Sequence, residues 1–514
     1  MTGAPRAHGQ DATDEAASFF LARDPAATVI DTHISRVVLS GAHAYKLKKH
    51  VVFPYLDFST YEKRLAAAQT EVRLNRRTAP DLYLGLRFLT RAADGALALE
   101  GPGERIEPVV VMRRFDQSDL FDALAQRGAL TGALATELTH VVARFHRDAA
   151  PDFARGGAAA MARLVDLNTR ALAEADLAPA AETAALAAEL RAALAELSPL
   201  LDARQAAGKV RRCHGDLTLR NICLFEGRPT PFDCIEFDED IATIDVLYDL
   251  AFLTMDLIHR GLRDIANLVF NRYLDENDEL DGARALPFFM SVRASVRAHV
   301  SATQARQTRE TARGAALLGE ARAYFELARA LLRPRAPALV AVGGFSGSGK
   351  STLAATLAPA LGPAPGARIL SSDRLRKRLF GAAPTTRLPP AAYAPDVSER
   401  VYADMRAQAA RALESGVSVV ADAVFDRLWL AQAIEQVARD ARVPFFGLWL
   451  SGARDALARR IEARRDDPSD ATVDVLDAQM AHGRAPDWRV LDAAATAPDN
   501  AFAHTPPALR ALLD

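Results

Sequence analysis

The chain has 514 residues, half of them hydrophobic and a quarter charged, too many for one hydrophobic core and enough for two or three globular domains. Its 63 basic and 65 acidic side chains leave a formal net charge of -2, so it has no overall electrostatic footprint for nucleic acid. Three cysteines, Cys213, Cys223 and Cys234, speak against a disulfide framework and for a reducing compartment, and no run of eighteen uncharged apolar residues offers a membrane span.

Residues 1–15 contain no apolar segment and are expected as a disordered tail rather than a signal peptide, which with the cysteine usage points to a cytoplasmic protein. From Thr28 to Tyr55 the text is strand-like: Arg36–Leu39, a Ser40-Gly41 turn, then Ala44–Lys48. Tyr61–Arg77 reads as a helix with Leu65, Ala68 and Val72 on one side, stopped by Pro80. Strands return at Leu84–Thr90, Ala96–Leu99 and Glu107–Arg113, so 16–115 is expected as a small antiparallel sheet with one helix. Asp119–Arg204 is alanine-rich and helical, without the persistent leucine heptad of a coiled coil. Short strands over Val210–Phe237 and further helix over Thr243–Leu332 complete a region spanning 116–332. Residues 333–337, Arg-Pro-Arg-Ala-Pro, read as a linker. Residues 338–514 then alternate strand and helix. The strands expected there are Ala338–Gly343, Ala367–Leu370, Val417–Ala421 and Pro444–Leu450, the pattern of a parallel sheet with helices on both faces.

Two motifs carry chemistry. The first is His214-Gly215-Asp216 followed by Asn221 and, after a turn, Pro231-Phe232-Asp233. A kinase catalytic loop places an aspartate by the acceptor hydroxyl, then an asparagine and a strand-end aspartate on Mg²⁺, in this order and with these residue types. The segment resembles the aminoglycoside phosphotransferase family, whose loop reads H-G-D-x-x-x-x-N, and Tyr248–Phe252 matches that family's Y-D-[IL]-A text. The resemblance covers about 25–300. It implies a bilobal protein-kinase-like fold, with an N-lobe at 16–115 and a C-lobe at 116–332. It also implies Asp216 as catalytic residue, Asn221 and Asp233 as Mg²⁺ ligands, and Asp249 as an anchor for the catalytic loop. A strand lysine paired with a helix glutamate would hold the nucleotide phosphates. Lys46 and Glu71 are the candidates; Lys48 shares the strand face with Lys46, while Lys49 points the other way. Val109–Arg113 would be the hinge that takes adenine. The G-x-G-x-x-G loop of protein kinases is not present before Lys46; only Ser40-Gly41 stands there, and no acidic aminoglycoside-binding loop is recognisable.

The second motif, Gly344-Phe345-Ser346-Gly347-Ser348-Gly349-Lys350-Ser351, fits G-x-x-x-x-G-K-[ST] in full and lies between an expected strand and an expected helix. Backbone N–H groups of Gly344, Ser346, Gly347, Ser348 and Gly349 would turn toward phosphates, Lys350 would reach the β/γ-phosphates, Ser351 would ligate Mg²⁺ and Thr352, at the helix start, would also bind the nucleotide. Asp373 and Asp422 end the next two strands and so face the nucleotide cleft; either can hold Mg²⁺ or accept a hydroxyl proton. Arg460 and Arg464 stand at i, i+4, with Arg454 nearby, ahead of an Asp466–Ser469 loop, as in an arginine-bearing lid or, equally, a solvated face. Residues 338–480 resemble gluconate-kinase-like and polynucleotide-kinase-like P-loop kinases, which assigns Asp373 the base role and leaves Asp422 for the metal. The chain as a whole resembles a bacterial fusion of these two families. The fold class expected is therefore α/β and α+β multidomain, a kinase-like fold followed by a P-loop parallel-sheet domain. The function expected is transfer of the γ-phosphoryl group of ATP, with Mg²⁺, to a small hydroxyl-bearing molecule at each of two sites. The alternatives are a nucleotide-gated regulator with a silent kinase-like half and a nucleic-acid end-processing kinase, the latter disfavoured by the net charge.

Overall fold

Alternation of side chains along a strand lets one sheet bury two faces. The computed structural model, which describes residues 8–53, 56–308, 311–464, 467–495 and 505–513, uses this at its N-terminal end. Strands β1 (Thr28–Asp31), β2 (Ser35–Ser40), β3 (His43–Lys48), β4 (Tyr83–Arg91), β5 (Leu97–Leu99) and β6 (Glu104–Arg113) form an antiparallel sheet in the order β1-β2-β3-β6-β4-β5. Helix α1 spans His8–Arg23 and α2 spans Tyr61–Asn75. Val110 and Met112 of β6 pack with Ala68 and Val72 of α2. Val109 and Val111, one residue out of phase, pack on the other face with Ala16, Phe19 and Phe20 of α1. Residues 8–15, expected in a disordered tail, therefore begin a helix. The tail reading missed that Phe19 and Phe20 give this segment an apolar face, and Thr13 Oγ1 also donates to Lys48 O at 3.1 Å. Residues 1–7 lie outside the described residues.

Helix α2 starts at the N-cap Thr60, whose side chain accepts from Lys63 N, and ends at Asn75, five residues before Pro80. Helix α3 (Gly132–Asp148) follows. The alanine-rich text forms the helices Gly157–Ala175 and Ala180–Ala206, the second containing Pro199. Short strands β7 (Val210–Arg212), β8 (Ile222–Phe225), β9 (Arg228–Pro231) and β10 (Thr243–Asp245) pair as β8-β9 and β10-β7 and frame the His214–Asp233 segment. Helix α4 (Val246–His259) comes next.

By contact density the chain divides into two units, Met1–Met161 with Ser198–Leu253, and Ala162–Leu197 with Thr254–Asp514. The second unit holds α5 (Arg263–Glu276), α6 (Leu286–Gln307), α7 (Ala312–Leu331) and a five-stranded parallel sheet. Its strands are β11 (Leu339–Gly344), β12 (Arg368–Ser371), β13 (Val419–Asp422), β14 (Phe445–Ser451) and β15 (Arg489–Asp492), in the order β12-β13-β11-β14-β15. The connecting helices are α8 (Lys350–Leu357), α9 (Ser372–Leu379), α10 (Pro395–Glu414), α11 (Leu428–Asp440), α12 (Arg454–Glu462) and α13 (Val473–His482). Val340, Val342, Leu353, Leu357, Val420, Leu448 and Leu450 make the core. Strand β15 was not anticipated: in Arg489–Asp492 only Leu491 is buried, so the apolar signal is one residue.

The 333–337 segment, expected as a linker, falls within this second unit. Helix α5 holds the sheet edge through polar side chains. Asn271 of α5 donates to Ala367 O at 3.1 Å and accepts from Ile369 N at 2.7 Å, giving edge strand β12 the partners a neighbouring strand would supply. Asn267 donates to Pro365 O and Ala367 O, and Asp275 pairs with Arg368 at 2.7 Å. Proline content marks a turn in the chain; it does not show which helix closes the sheet edge.

Candidate functional sites

In the first unit, β3 places Lys46 and Lys48 on the face that α2 covers. Lys46 Nζ lies 2.7 Å from Glu71 Oε1 and Lys48 Nζ lies 2.5 Å from Glu71 Oε2, so one carboxylate serves both lysines. Lys46 also pairs with Asp233, and Lys48 with Glu236, three residues further on. Lys49 turns away to Asp31 at 2.9 Å, as the strand alternation requires. Burial works against each of these charges, but the carboxylates of Asp233 and Glu71 outweigh it and hold the Lys46 ammonium well above its ordinary pKa. Glu71 and Asp233 are held low in the same way, by their lysines against their burial. Glu236 is pushed up, chiefly by burial.

Asp233 adopts φ of +60°, a left-handed conformation that only a few per cent of non-glycine residues take. Neighbours hold it there. Asp233 N donates to Tyr83 Oη at 3.3 Å and Cys234 N donates to Asn75 Oδ1 at 2.9 Å. In the preceding loop Asn221 Nδ2 donates to Asp216 Oδ2 at 2.8 Å and to Asp216 O at 2.9 Å. Asp249, fully buried on α4, accepts from His214 N at 3.1 Å, Gly215 N at 2.8 Å and His146 Nε2 at 3.1 Å. That geometry is the one expected of a loop anchor. Lys48, named beside Lys46 for its place on the same strand face, joins the cluster, whereas Glu236, Asn75, Tyr83 and His146 are partners that sequence reasoning missed.

In the second unit, the phosphate loop runs from the end of β11 into α8. Gly349 is the N-cap at φ +91°, and a Cβ on Gly347 would fall 2.4 Å from Leu457 O, so neither position admits a side chain. Gly344 closes β11, Ser346 N donates to Gln479 Oε1 at 2.8 Å, and Ser348 Oγ is buried with no hydrogen-bond partner. Lys350 Nζ donates to Phe345 O at 3.1 Å, Ser351 Oγ donates to Asp422 Oδ2 at 2.7 Å, and Thr352 is exposed on the first turn of α8. Burial lowers the Lys350 pKa, with Asp422 and Asp373 only partly offsetting it. Burial also raises Asp373, with Ser469 opposing it, and raises Asp422, with Lys350 and Ser351 opposing it.

The arginines divide. Arg460 donates to Ser348 O at 3.5 Å and to Ala493 O at 3.1 Å, against the loop backbone. Arg464 Nε lies 3.7 Å from Asp467, and Arg454 pairs with Asp477 at 2.7 Å on the exposed side. Asp466 lies outside the described residues. Asp470, absent from the expectations, accepts from Lys377 at 2.6 Å, Tyr393 Oη at 2.5 Å and Leu388 N at 3.0 Å. No helix among the described residues is long and apolar enough to cross a membrane.

The residues of both sites fit a ligand. The orphaned Ser348 hydroxyl, the side-chain-free approach at Gly347 and the desolvated Lys350 suit a phosphate chain. Ser351 with Asp422, and Asn221 with Asp233, are hard oxygen donors of the kind Mg²⁺ takes.

Comparison with known proteins agrees with both halves. A profile described as "Phosphotransferase enzyme family" matches residues 56–286, and one described as "AAA domain" matches residues 339–486. An uncharacterized protein of Mycobacterium tuberculosis is 30% identical over 479 residues, 90% of this chain and 91% of its own length. Among solved structures, a gluconokinase from Sinorhizobium meliloti is similar at 21% identity and TM-score 0.26, over 35% of this chain and 93% of that one. A choline/ethanolamine kinase family protein from Mesorhizobium loti is similar at 15% identity and TM-score 0.38, over 63% of this chain and 99% of that one.

Proposed function

We propose, from the premise that the chain belongs to a family joining a phosphotransferase domain to a P-loop kinase-like domain, that it transfers the γ-phosphoryl group of ATP to hydroxyl groups of small molecules at two sites. The observation that supports two sites is that each half assembles a complete set on its own: a lysine, oxygen donors for a metal, and a further carboxylate.

In the first set Lys46 and Glu71 would bind nucleotide phosphates, Asn221 and Asp233 would hold Mg²⁺, and Asp216 would accept the acceptor's proton. In the second, the Gly344–Thr352 loop with Lys350 would bind phosphates, Ser351 and Asp422 would hold Mg²⁺, and Asp373 would accept the proton. The metal, when bound, neutralises charge on the phosphate oxygens. The chain's own residues do the remainder: Asn221 fixes the Asp216 carboxylate by its 2.8 Å hydrogen bond, and burial raises the Asp373 pKa and so makes it a readier proton acceptor. Arg460, on the loop backbone, and Arg464 would complete the charge around the transferred group.

A screen of phosphoryl transfer from labelled ATP to a metabolite library tests the reading on the full-length chain. Asp216→Asn and Asp373→Asn are each expected to remove one set of products, by about 100-fold or more as the loss of a general base entails. The double variant is expected to make none. Full turnover in the double variant would overturn the assignment. Turnover carried wholly by Asp373 would instead support a kinase-like half that only regulates.

A further inference from the structure

Asp275, on α5, is shared by three arginines. Arg368 Nη2 of β12 lies 2.7 Å from its Oδ1, while Arg374 Nη2 of α9 and Arg272 Nη1 of α5 lie 2.9 and 3.1 Å from its Oδ2. Beside this cluster is a cavity of about 180 Å³ lined by the basic groups of Arg368, Arg374, Lys377 and Arg378 and the acidic groups Asp275 and Glu276. Lys377 and Arg378 have counter-charges of their own, in Asp470 at 2.6 Å and Asp404 at 3.1 Å. Five basic side chains, Arg272 included, thus meet four acidic ones, and the unbalanced charge is concentrated where three guanidiniums meet one carboxylate. The crowding leaves a trace: burial and then Arg374 push Arg272 down to about 10.

We propose that this cavity is a binding site for a small oxyanion of the phosphate class, free or as the phosphate of a small ester. Guanidinium groups present forked donors that match such an anion, and a buried cationic surplus is stabilised by one. The volume suits a small ligand, since pockets for larger organic ligands run from about 300 to 1,000 Å³. The site lies off the phosphate loop. Asp373, in the first turn of α9, is coupled electrostatically to Lys350, whereas the adjacent Arg374 reaches Asp275. An occupant would therefore grip, through Arg374 and Arg378 one turn apart, the helix that presents Asp373.

Calorimetric titration of the full-length chain carrying Lys350→Ala, with inorganic phosphate in one arm and glycerol 3-phosphate in the other, tests this. Binding in either arm is expected, and the arm that binds tighter identifies the source. Adding Arg374→Gln is expected to weaken binding about tenfold, the loss of one charged hydrogen-bonding group. Arg378→Gln, at the exposed rim, is expected to weaken it severalfold, and Arg439→Gln, on α11, to leave it unchanged. Tryptophan fluorescence reports whether the variants are folded; if Arg374→Gln is not, Arg378→Gln carries the test. No binding by the parent at millimolar ligand, or equal affinity in the folded cavity variants, would overturn the proposal.

Discussion

At the kinase-like site Lys46 and Lys48 are engaged by Glu71, Asp233 and Glu236, whereas at the phosphate loop Lys350 donates to the peptide carbonyl of Phe345. The first site satisfies its charges internally and raises the pKa of Lys46; the second leaves its lysine desolvated, with a lowered pKa, beside two carboxylates pushed up by burial. One set of charges stabilises its fold without a ligand and must release partners to take one. The other keeps a buried lysine whose ammonium burial disfavours, and counter-charges brought by a ligand would relieve it. A buried lysine can thus be paired within the fold or left desolvated beside raised carboxylates.

The sharpest way to break this contrast is Glu71→Gln. It leaves two buried ammonium groups with one fewer counter-charge between them, and the loss of one partner from a buried pair costs about 3–5 kcal/mol. Urea unfolding followed by circular dichroism is expected to show a loss of this size. A loss under about 1 kcal/mol, the range of exposed pairs, would mean that solvent screens the cluster and that the two sites do not differ in kind.

Lys350→Ala should behave the other way. Removing a cation that burial already disfavours is expected to leave stability nearly unchanged, while nucleotide affinity at the loop falls by roughly 10- to 100-fold, as for a charged hydrogen bond of about 1.5–3 kcal/mol. Titration with Mg-ATP in the Lys46→Ala background isolates this site. A large stability loss with unchanged affinity would make Lys350 a strut like Lys46.

The same difference decides what could be read from sequence. The phosphate loop is eight consecutive residues, so the string Gly344–Ser351 carried strand end, turn and helix start together. The kinase-like site draws on β3, α2 and the 214–236 loops, and its order of Asp216, Asn221 and Asp233 was legible because local segments hold them. What closes it was not: Glu236 and Tyr83 are recruited by tertiary contact, and no spacing announces them. The parallel sheet followed from alternating strand and helix, but β15, with one buried residue, had no pattern to read. Asn271 capping the edge of β12 was equally silent, because an asparagine in a helix is ordinarily a surface residue.

The smallest expected effect concerns pH and tests the sign of the contrast. The Asp422 pKa is raised in the fold by burial, with Lys350 and Ser351 opposing it. Its folded pKa therefore lies above its unfolded value of about 3.9, and between the two the native state binds more protons than the unfolded state. Its penalty is present in full above the folded pKa and disappears as pH falls to the unfolded one. Asp233 is the reverse: its pKa is lowered, so its contribution is present above the unfolded pKa and is lost as pH falls through the folded one. All three tryptophans, Trp429, Trp449 and Trp488, lie in the P-loop half, so the fluorescence-detected Tm reports on Asp422. Asp422→Asn keeps an acceptor for the Ser351 hydroxyl and removes the charge. Its Tm is expected to exceed that of the wild type at pH 7, with the difference shrinking toward zero near pH 4. Asp233→Asn, followed by circular dichroism, is expected to be less stable than the wild type at pH 7 and to converge with it on acidification. If Asp422→Asn instead loses stability at pH 7, the carboxylate is stabilised by Lys350 more than it is penalised by burial. The phosphate loop would then be an internally balanced ion cluster like the kinase-like site.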